Sequence, residues 1–210
     1  MKINESGRSM IEMLGVLAII GVLSVGGIAG YSKAMSKFRV NKTVDQISHI
    51  AANTRILFGS QTSYAALGSS ADDAKAIIDK AKLFPQEMGK EGNYTNPFQG
   101  KVEIKSARRF KGDSAAKAFV VTYEGIPEEA CVDLATLDWG TGSGGGLVAL
   151  GVNEDVSDMV TDGAETADAN GSKACGGDKV VCGGNAVMSV SNAVAACTLT
   201  DANKLYFKFY

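Results

Sequence analysis

Apolar residues are unevenly spread along this chain, and the densest block lies near its start. Between Glu12 and Lys33, the twenty positions from Met13 to Ser32 carry no charge. In helical form twenty residues rise about 30 Å, the thickness of a bilayer's hydrocarbon core. The block therefore predicts a helix of transmembrane length. The helix does not have to stop there, because no proline occurs before Pro85. Val40, Val44, Ile47, Ala51 and Phe58 recur at intervals of three, four or seven, which makes one apolar stripe. Lys37, Asn41, Asp45 and His49 line another face. One long helix is thus expected to change character along its length, apolar all round at first and one-sided afterwards, with helix propensity fading by Gly59.

Beyond the stripe the pattern changes period. "SSADDAKAIIDKAKLF" predicts a second helix, with Ser69 or Ser70 as its cap, acids in its first turn and Pro85 after its end. "EGNYTNPFQG" is expected to form a loop. "KVEIK" alternates cleanly and "AFVVTYEG" is rich in β-branched and aromatic residues, so both predict strands. "LVALGV" and "KLYFKFY" are further strand candidates. "GIPEEACVDLAT" predicts a short helix: Pro127 suits its first turn, Glu128 and Glu129 its positive end, and Ala130, Leu134 and Leu137 form one stripe. The sum is an α+β class, a mostly antiparallel sheet laid against the long helix.

Charge narrows the functions little. A formal net charge of −2 gives no general pull toward nucleic acid or anionic lipid, although Lys33, Lys37, Arg39 and Lys42 cluster just after the apolar block. Four cysteines, Cys131, Cys175, Cys182 and Cys197, form no C-x-x-C pair, and the single histidine, His49, is remote from them. A zinc site is a poor match; two disulfides in an oxidising compartment fit better, with three pairings open. Cation counting alone would keep the C-terminal side cytoplasmic, whereas the cysteines place it outside, and a large domain can be translocated despite flanking charge. "GTGSGGG" lacks the lysine and hydroxyl residue of a phosphate loop. The acidic run Glu154, Asp155, Asp158, Asp162, Glu165, Asp168 does not follow EF-hand spacing and reads as a solvated loop. No nucleophile–histidine arrangement supports catalysis, so no enzyme and no cofactor are expected.

One residue resists an ordinary account. A secretory signal peptide with Lys2 and Arg8 as its basic region, cleaved near Gly27-Ile28-Ala29, would explain the apolar block, as would an uncleaved anchor. Neither explains Glu12. A charge at mid-membrane costs about 2.5–3.5 kcal/mol on insertion scales, less near the interface, so an acid there points to function.

Gly7-Arg8-Ser9-Met10-Ile11-Glu12, followed by the apolar run, resembles the processing site of type IV prepilins. In that family a polar leader ends in glycine, a prepilin peptidase cuts after it on the cytoplasmic side, and the fifth mature residue is glutamate. The resemblance implies cleavage between Gly7 and Arg8, N-methylation of Arg8 and an assembly role for Glu12. Tyr31 also lies where such proteins carry a tyrosine. Arg8 replaces the usual apolar first residue, and the leader "MKINESG" is short and contains Glu5. The helix around Cys131, and "CTLTDANKLYFKFY" at the end, resemble the type IVb branch. That likeness implies a Cys131–Cys197 disulfide closing a C-terminal loop, which leaves Cys175–Cys182 across a glycine-rich turn. Gly26-x-x-x-Gly30 is a small-x-x-x-small pattern suited to helix packing, while the Gly26-Gly27 pair is a candidate weak point.

The expected organisation is a leader over 1–7, a transmembrane and assembly helix over 8–32, its amphipathic continuation over 33–60 and a pilin head over 61–210. The resemblance implies a subunit stored in the inner membrane, then polymerised with its own kind by a pilus assembly machinery into an extracellular fibre for adhesion, aggregation or motility. A minor pilin, a type II secretion pseudopilin, or a membrane-anchored or secreted binding domain are the alternatives.

Overall fold

A computed structural model describes residues 10–109, 116–139, 146–157, 159–160, 173–174, 178–182 and 187–210. The chain divides into two compact units, Met1–Phe38 and Arg39–Tyr210. Helix α1, Met10–Phe58, contributes to both and stays helical through Gly26 and Gly27.

The two units use the helix differently. In the first, every residue from Met10 to Ala34 is exposed. In the second, α1 has a buried side made of Val40, Thr43, Gln46, Ile47, Ile50, Ala51, Thr54 and Phe58, while Asn41, Asp45 and His49 stay exposed. The stripe expected from apolar spacing is there, and two threonines extend it. Their hydroxyls donate back along the helix, Thr43 to the Arg39 carbonyl at 2.9 Å and Thr54 to that of Ile50 at 2.7 Å. A buried hydroxyl with an i−4 carbonyl partner costs little.

After α1 come α2 (Ala71–Ala81), β1 (Gly89–Lys90), β2 (Asn93–Tyr94), β3 (Val102–Ala107), β4 (Ala118–Ile126) and α3 (Glu128–Ala135). They are followed by β5 (Leu147–Val152), β6 (Met159–Val160), β7 (Lys173–Ala174), β8 (Val180–Cys182), α4 (Val190–Ala196) and β9 (Asn203–Phe209). Ser70 caps α2, its backbone N–H donating to the Asp73 carboxylate at 3.1 Å. Five strands form one antiparallel sheet in the order β3-β4-β9-β5-β8. The last strand, β9, therefore lies in the middle, paired with β4 on one side and β5 on the other.

Alternation along β9 sorts its side chains by face. Leu205, Phe207 and Phe209 join Phe119, Val121 and Tyr123 of β4 in the main core, with Ile47, Ile50 and Phe58 of α1. Phe119 stacks on Phe209 with ring centroids 5.6 Å apart, and Trp139 meets Phe207 edge-on at 4.8 Å. On the opposite face Ala107, Ala118, Val120, Ala149 and Val180 form a smaller core, closed by Val156 from the segment after β5. That closure buries Lys208 completely, and its ammonium donates to the Val156 and Ser157 carbonyls, each at 3.2 Å. Alternation alone would leave Lys208 in solvent.

Two expectations need correcting at the helix ends. Helix α3 stops at Ala135, so Leu137 falls outside it and is exposed rather than completing a stripe with Ala130 and Leu134. Pro127 caps α3 in an extended conformation instead of occupying its first turn. Helix α4 was not expected from periodicity. Ser189 caps it by accepting from the Asn192 N–H at 3.3 Å.

A disulfide joins Cys131 of α3 to Cys197 at the end of α4, 66 residues apart in sequence with Cα atoms 5.9 Å apart. Beside it Asn203, fully buried, donates to the Ile126 carbonyl at 3.1 Å and to that of Leu199, and accepts from Leu199 N–H at 3.2 Å. Asn153 donates to Asn203 and to the Ala196 carbonyl, both at 3.0 Å, and accepts from Lys204 N–H at 2.8 Å. Two amides thus tie the ends of β4, α4 and β5 to the start of β9.

Two outcomes follow from this arrangement. Opening a loop of 66 residues removes about 4 kcal/mol in the chain-entropy account. Cys131→Ser with Cys197→Ser should therefore lower the denaturant midpoint of the full chain sharply, as read by circular dichroism. The second concerns Asp155. Burial pushes its carboxyl up, but hydrogen bonds from Lys105 (2.6 Å) and Ser157 outweigh that and hold it below the ordinary value of 3.8. A depressed folded value means stability that is present above the unfolded value and lost as pH falls through the folded one. Asp155→Asn should then be less stable than the parent at neutral pH, by at most about 1 kcal/mol for so exposed a pair. Thermal unfolding should show the difference vanishing in acid, below the folded value.

Candidate assembly site

Helix α1 carries the residues that the sequence singles out, and its first unit is chemically unusual. Thirteen large apolar side chains between Met10 and Tyr31 are exposed there, among them Ile11 at 78%, Val22 at 76% and Ile28 at 70%. Covering each stabilises by roughly 1.5 kcal/mol or more, so the total is on the order of 20 kcal/mol, above the ~5–15 kcal/mol that holds a typical domain. A surface of that size cannot rest in water. By length and composition the helix can cross a membrane, and among the described residues none of the apolar window is buried.

Within this surface Glu12 lies in the first turn of α1 and is exposed. The positive end of the helix dipole favours an acid there. Gly26 and Gly30 lie one turn apart on one side of the helix. A Cβ added at Gly15, Gly21, Gly26, Gly27 or Gly30 would meet nothing within 4 Å. These glycines leave shallow places where a second backbone can come close. Tyr31, 68% exposed, follows them. Gly7 and Arg8 lie outside the described residues, so the structure says nothing of the cleavage and methylation positions.

The cysteine expectations divide in the same way. Cys131 and Cys197 are bonded to each other. Cys182 is disulfide-bonded, and Cys175 lies outside the described residues. Of the acidic run, Asp155 is engaged by Lys105 and Ser157, Glu154 is exposed, and Asp158, Asp162, Glu165 and Asp168 lie outside the described residues. Residues 140–145 of the glycine-rich stretch lie outside them too.

Sequence patterns missed the Asn153–Asn203 pair and α4. Asn153 has φ 57°, a left-handed conformation that asparagine tolerates better than most residues. An asparagine directly after a strand candidate was the available signal for it. For α4 the signal was Ser189 before an alanine-rich run.

Comparison with known proteins places this architecture. A family model described as PilS N terminal matches residues 37–209. Over 169 residues the chain is 30% identical to the major structural subunit of bundle-forming pilus from Escherichia coli O111:H-, covering 78% of this chain and 79% of the relative. The same identity and coverage hold for the protein of that name from Escherichia coli O127:H6 (strain E2348/69 / EPEC). Among solved structures, the crystal structure of TcpA, a type IV pilin from Vibrio cholerae El Tor biotype, superposes with a TM-score of 0.50 at 18% identity, over 82% of this chain and 99% of that one. That likeness concerns the fold, a long N-terminal helix packed on an antiparallel sheet. The family match and the coverage of the relatives reach the same answer as the exposed helix and disulfide-closed sheet: the chain belongs to the PilS N-terminal family and is a type IV pilin.

Proposed function

We propose that this pilin is the structural subunit of a type IV pilus, held in the inner membrane by α1 and then polymerised through the same helix into an extracellular fibre. The exposed apolar helix attached to a closed, disulfide-bonded head carries this reading. Lipid covers the helix first, and other copies of the chain cover it afterwards. The name of the two relatives, a major structural subunit, favours an abundant subunit over a minor one. The role is mechanical and not catalytic.

Before assembly, prepilin peptidase cuts between Gly7 and Arg8. The cut creates an α-amine with a reference pKa of about 8, mostly protonated near neutral pH, and Arg8 adds a second cation. Methylation of the Arg8 amine would keep its charge. Glu12 lies one turn along. A charge in an apolar surrounding is costly unless it meets a hydrogen-bonded partner. When a subunit enters the fibre, its Glu12 receives a neighbour's N-terminal cations, which sets the axial register between two helices that apolar contacts alone would let slide. Gly26 and Gly30 let the helices close on one another. An Arg8–Glu12 pair four residues apart within one helix can coexist with this contact, at a few tenths of a kcal/mol.

Mass spectrometry of purified fibres should find a mature chain beginning at Arg8; a start at Gly30, or an intact Met1, overturns the reading. Glu12→Ala should be cleaved as the parent is and remain in the membrane, with fibre yield in electron micrographs reduced at least about tenfold, as loss of a pair worth more than ~1.4 kcal/mol requires. Normal fibres from that variant would remove the register role while leaving the cleavage result intact.

A further inference from the structure

Between α2 and the β1–β2 hairpin lies a cavity of about 600 Å³ with an apolar floor. Ile78, Phe84 and Tyr94 form that floor and are nearly fully buried, the two rings meeting edge-on with centroids 4.9 Å apart. Asp79 of α2 ties the hairpin down. Its carboxylate accepts from the Tyr94 hydroxyl at 2.8 Å and from the Glu91 N–H at 3.1 Å. The shape therefore exists before any ligand arrives, and its volume falls within the roughly 300–1,000 Å³ of small-molecule sites. Lys82, Lys90 and Glu91 line the same cavity and are exposed. Among the described residues their side chains have no ion-pair or hydrogen-bond partner. That sets the two lysines apart, since Lys42, Lys75, Lys101, Lys105 and Lys204 each pair with a carboxylate. The backbone is unusual too. Lys82 (φ 51°) and Glu91 (φ 57°) adopt the left-handed region, shared only by Gln99 and Asn153 among the described non-glycine residues. Glycine or asparagine takes that conformation more easily, at the end of a helix above all, so the chain keeps two charged side chains here at a backbone cost. Strain of this kind gathers at ligand sites.

We propose that this cavity binds a small zwitterion with an apolar body, an apolar amino acid or a dipeptide of such residues. The signs of the lining charges select it. Two cations, Lys82 and Lys90, share the cavity with two anions, Asp79 and Glu91. A simple anion would be drawn by the lysines and repelled by the carboxylates, and a simple cation the reverse. A molecule that carries both charges answers both. Its carboxylate goes to Lys82 and Lys90. Its ammonium goes to Glu91, because both oxygens of Asp79 already accept bonds from the hairpin. Charge-assisted hydrogen bonds of this kind are about twice as strong as neutral ones. The apolar body then covers Ile78, Phe84 and Tyr94, and an uncharged molecule would leave the charged groups unanswered. This binding is independent of whether the chain forms fibres.

The test uses the full chain in detergent micelles, with tritiated L-phenylalanine in equilibrium dialysis and protein-free micelles as the blank. The parent should bind phenylalanine saturably. 3-Phenylpropanoate, which lacks the ammonium, and phenethylamine, which lacks the carboxylate, should compete about tenfold more weakly or worse. Phenylalanyl-phenylalanine in the same competition separates the two sizes, the tighter zwitterion being the class assigned. Lys82→Gln with Lys90→Gln, and separately Glu91→Gln, should each weaken binding about tenfold or more, with the unfolding midpoint and the Cys131–Cys197 bond as in the parent. Lys80→Gln removes an exposed lysine of α2 outside the cavity lining and should bind as the parent does. A parent that binds neither phenylalanine nor the dipeptide saturably would overturn the proposal. So would either single-charge analogue competing as well as phenylalanine, or parental affinity in the Lys82, Lys90 and Glu91 variants. The analogue comparison uses the parent alone and decides the matter even where a variant folds poorly.

Discussion

The first part of α1 is apolar on every side, and among the described residues none of it is buried, a constraint on which the rest of the reading depends. From Met10 to Ala34 α1 is exposed on every side, without a stripe that could fold back against its own sheet. Helical hydrogen bonding still suits this segment, because a helix satisfies its backbone internally whether lipid or another helix surrounds it. What it lacks is cover. In the proposed function, lipid and sister subunits are the two sources of cover, and moving from one to the other is the physical content of assembly. In the proposed assembly, Glu12 distinguishes one axial position from the others in an otherwise uniform contact.

The head answers a different demand. A subunit that bears load through a fibre needs a fold that does not open locally, and here the closing element is the last strand. Placing β9 between β4 and β5 makes the sheet's centre depend on the end of the chain. Three features hold that centre. Phe207 and Phe209 are buried beneath α1 and Trp139, the Cys131–Cys197 bond fixes the approach to β9, and the Asn153–Asn203 amides saturate the carbonyls that converge on its first residue. Buried amides of this kind gain little when paired and cost about 1–3 kcal/mol each when a partner is lost. The region therefore tolerates variation outside the network and very little within it. α4 lies at this boundary: its alanines face the framework, and its valines face out.

Much of the architecture was legible before any coordinates, for reasons that differ by element. α1 is readable because a twenty-residue charge-free run and a later three-four stripe are both long enough to have no rival interpretation. α2 is readable through its serine cap and first-turn acids, and β3, β4, β5 and β9 through alternation and β-branched content. α4 was not, because seven residues are too few to establish a period and its apolar side chains face the wrong way for a core pattern. Thr43 and Thr54 escaped for a related reason, since a pattern of apolar types cannot anticipate a hydroxyl buried against a carbonyl of its own helix.

What residue order determined by itself is everything governed by neighbours a few positions apart: the helix of two characters, the position of Glu12 at its start, the caps, and the period of each strand. Local chemistry suffices there, because the interacting groups are close along the chain. Which strand lies at the centre, why Lys208 is buried on the face that alternation assigns to solvent, and how two asparagines fifty positions apart meet beside a disulfide were decided only in three dimensions. Those outcomes depend on segments packing from far along the chain, as Val156 and Ser157 do over Lys208. A residue's period reports the face on which it stands, and only the packed neighbour reports whether that face is covered.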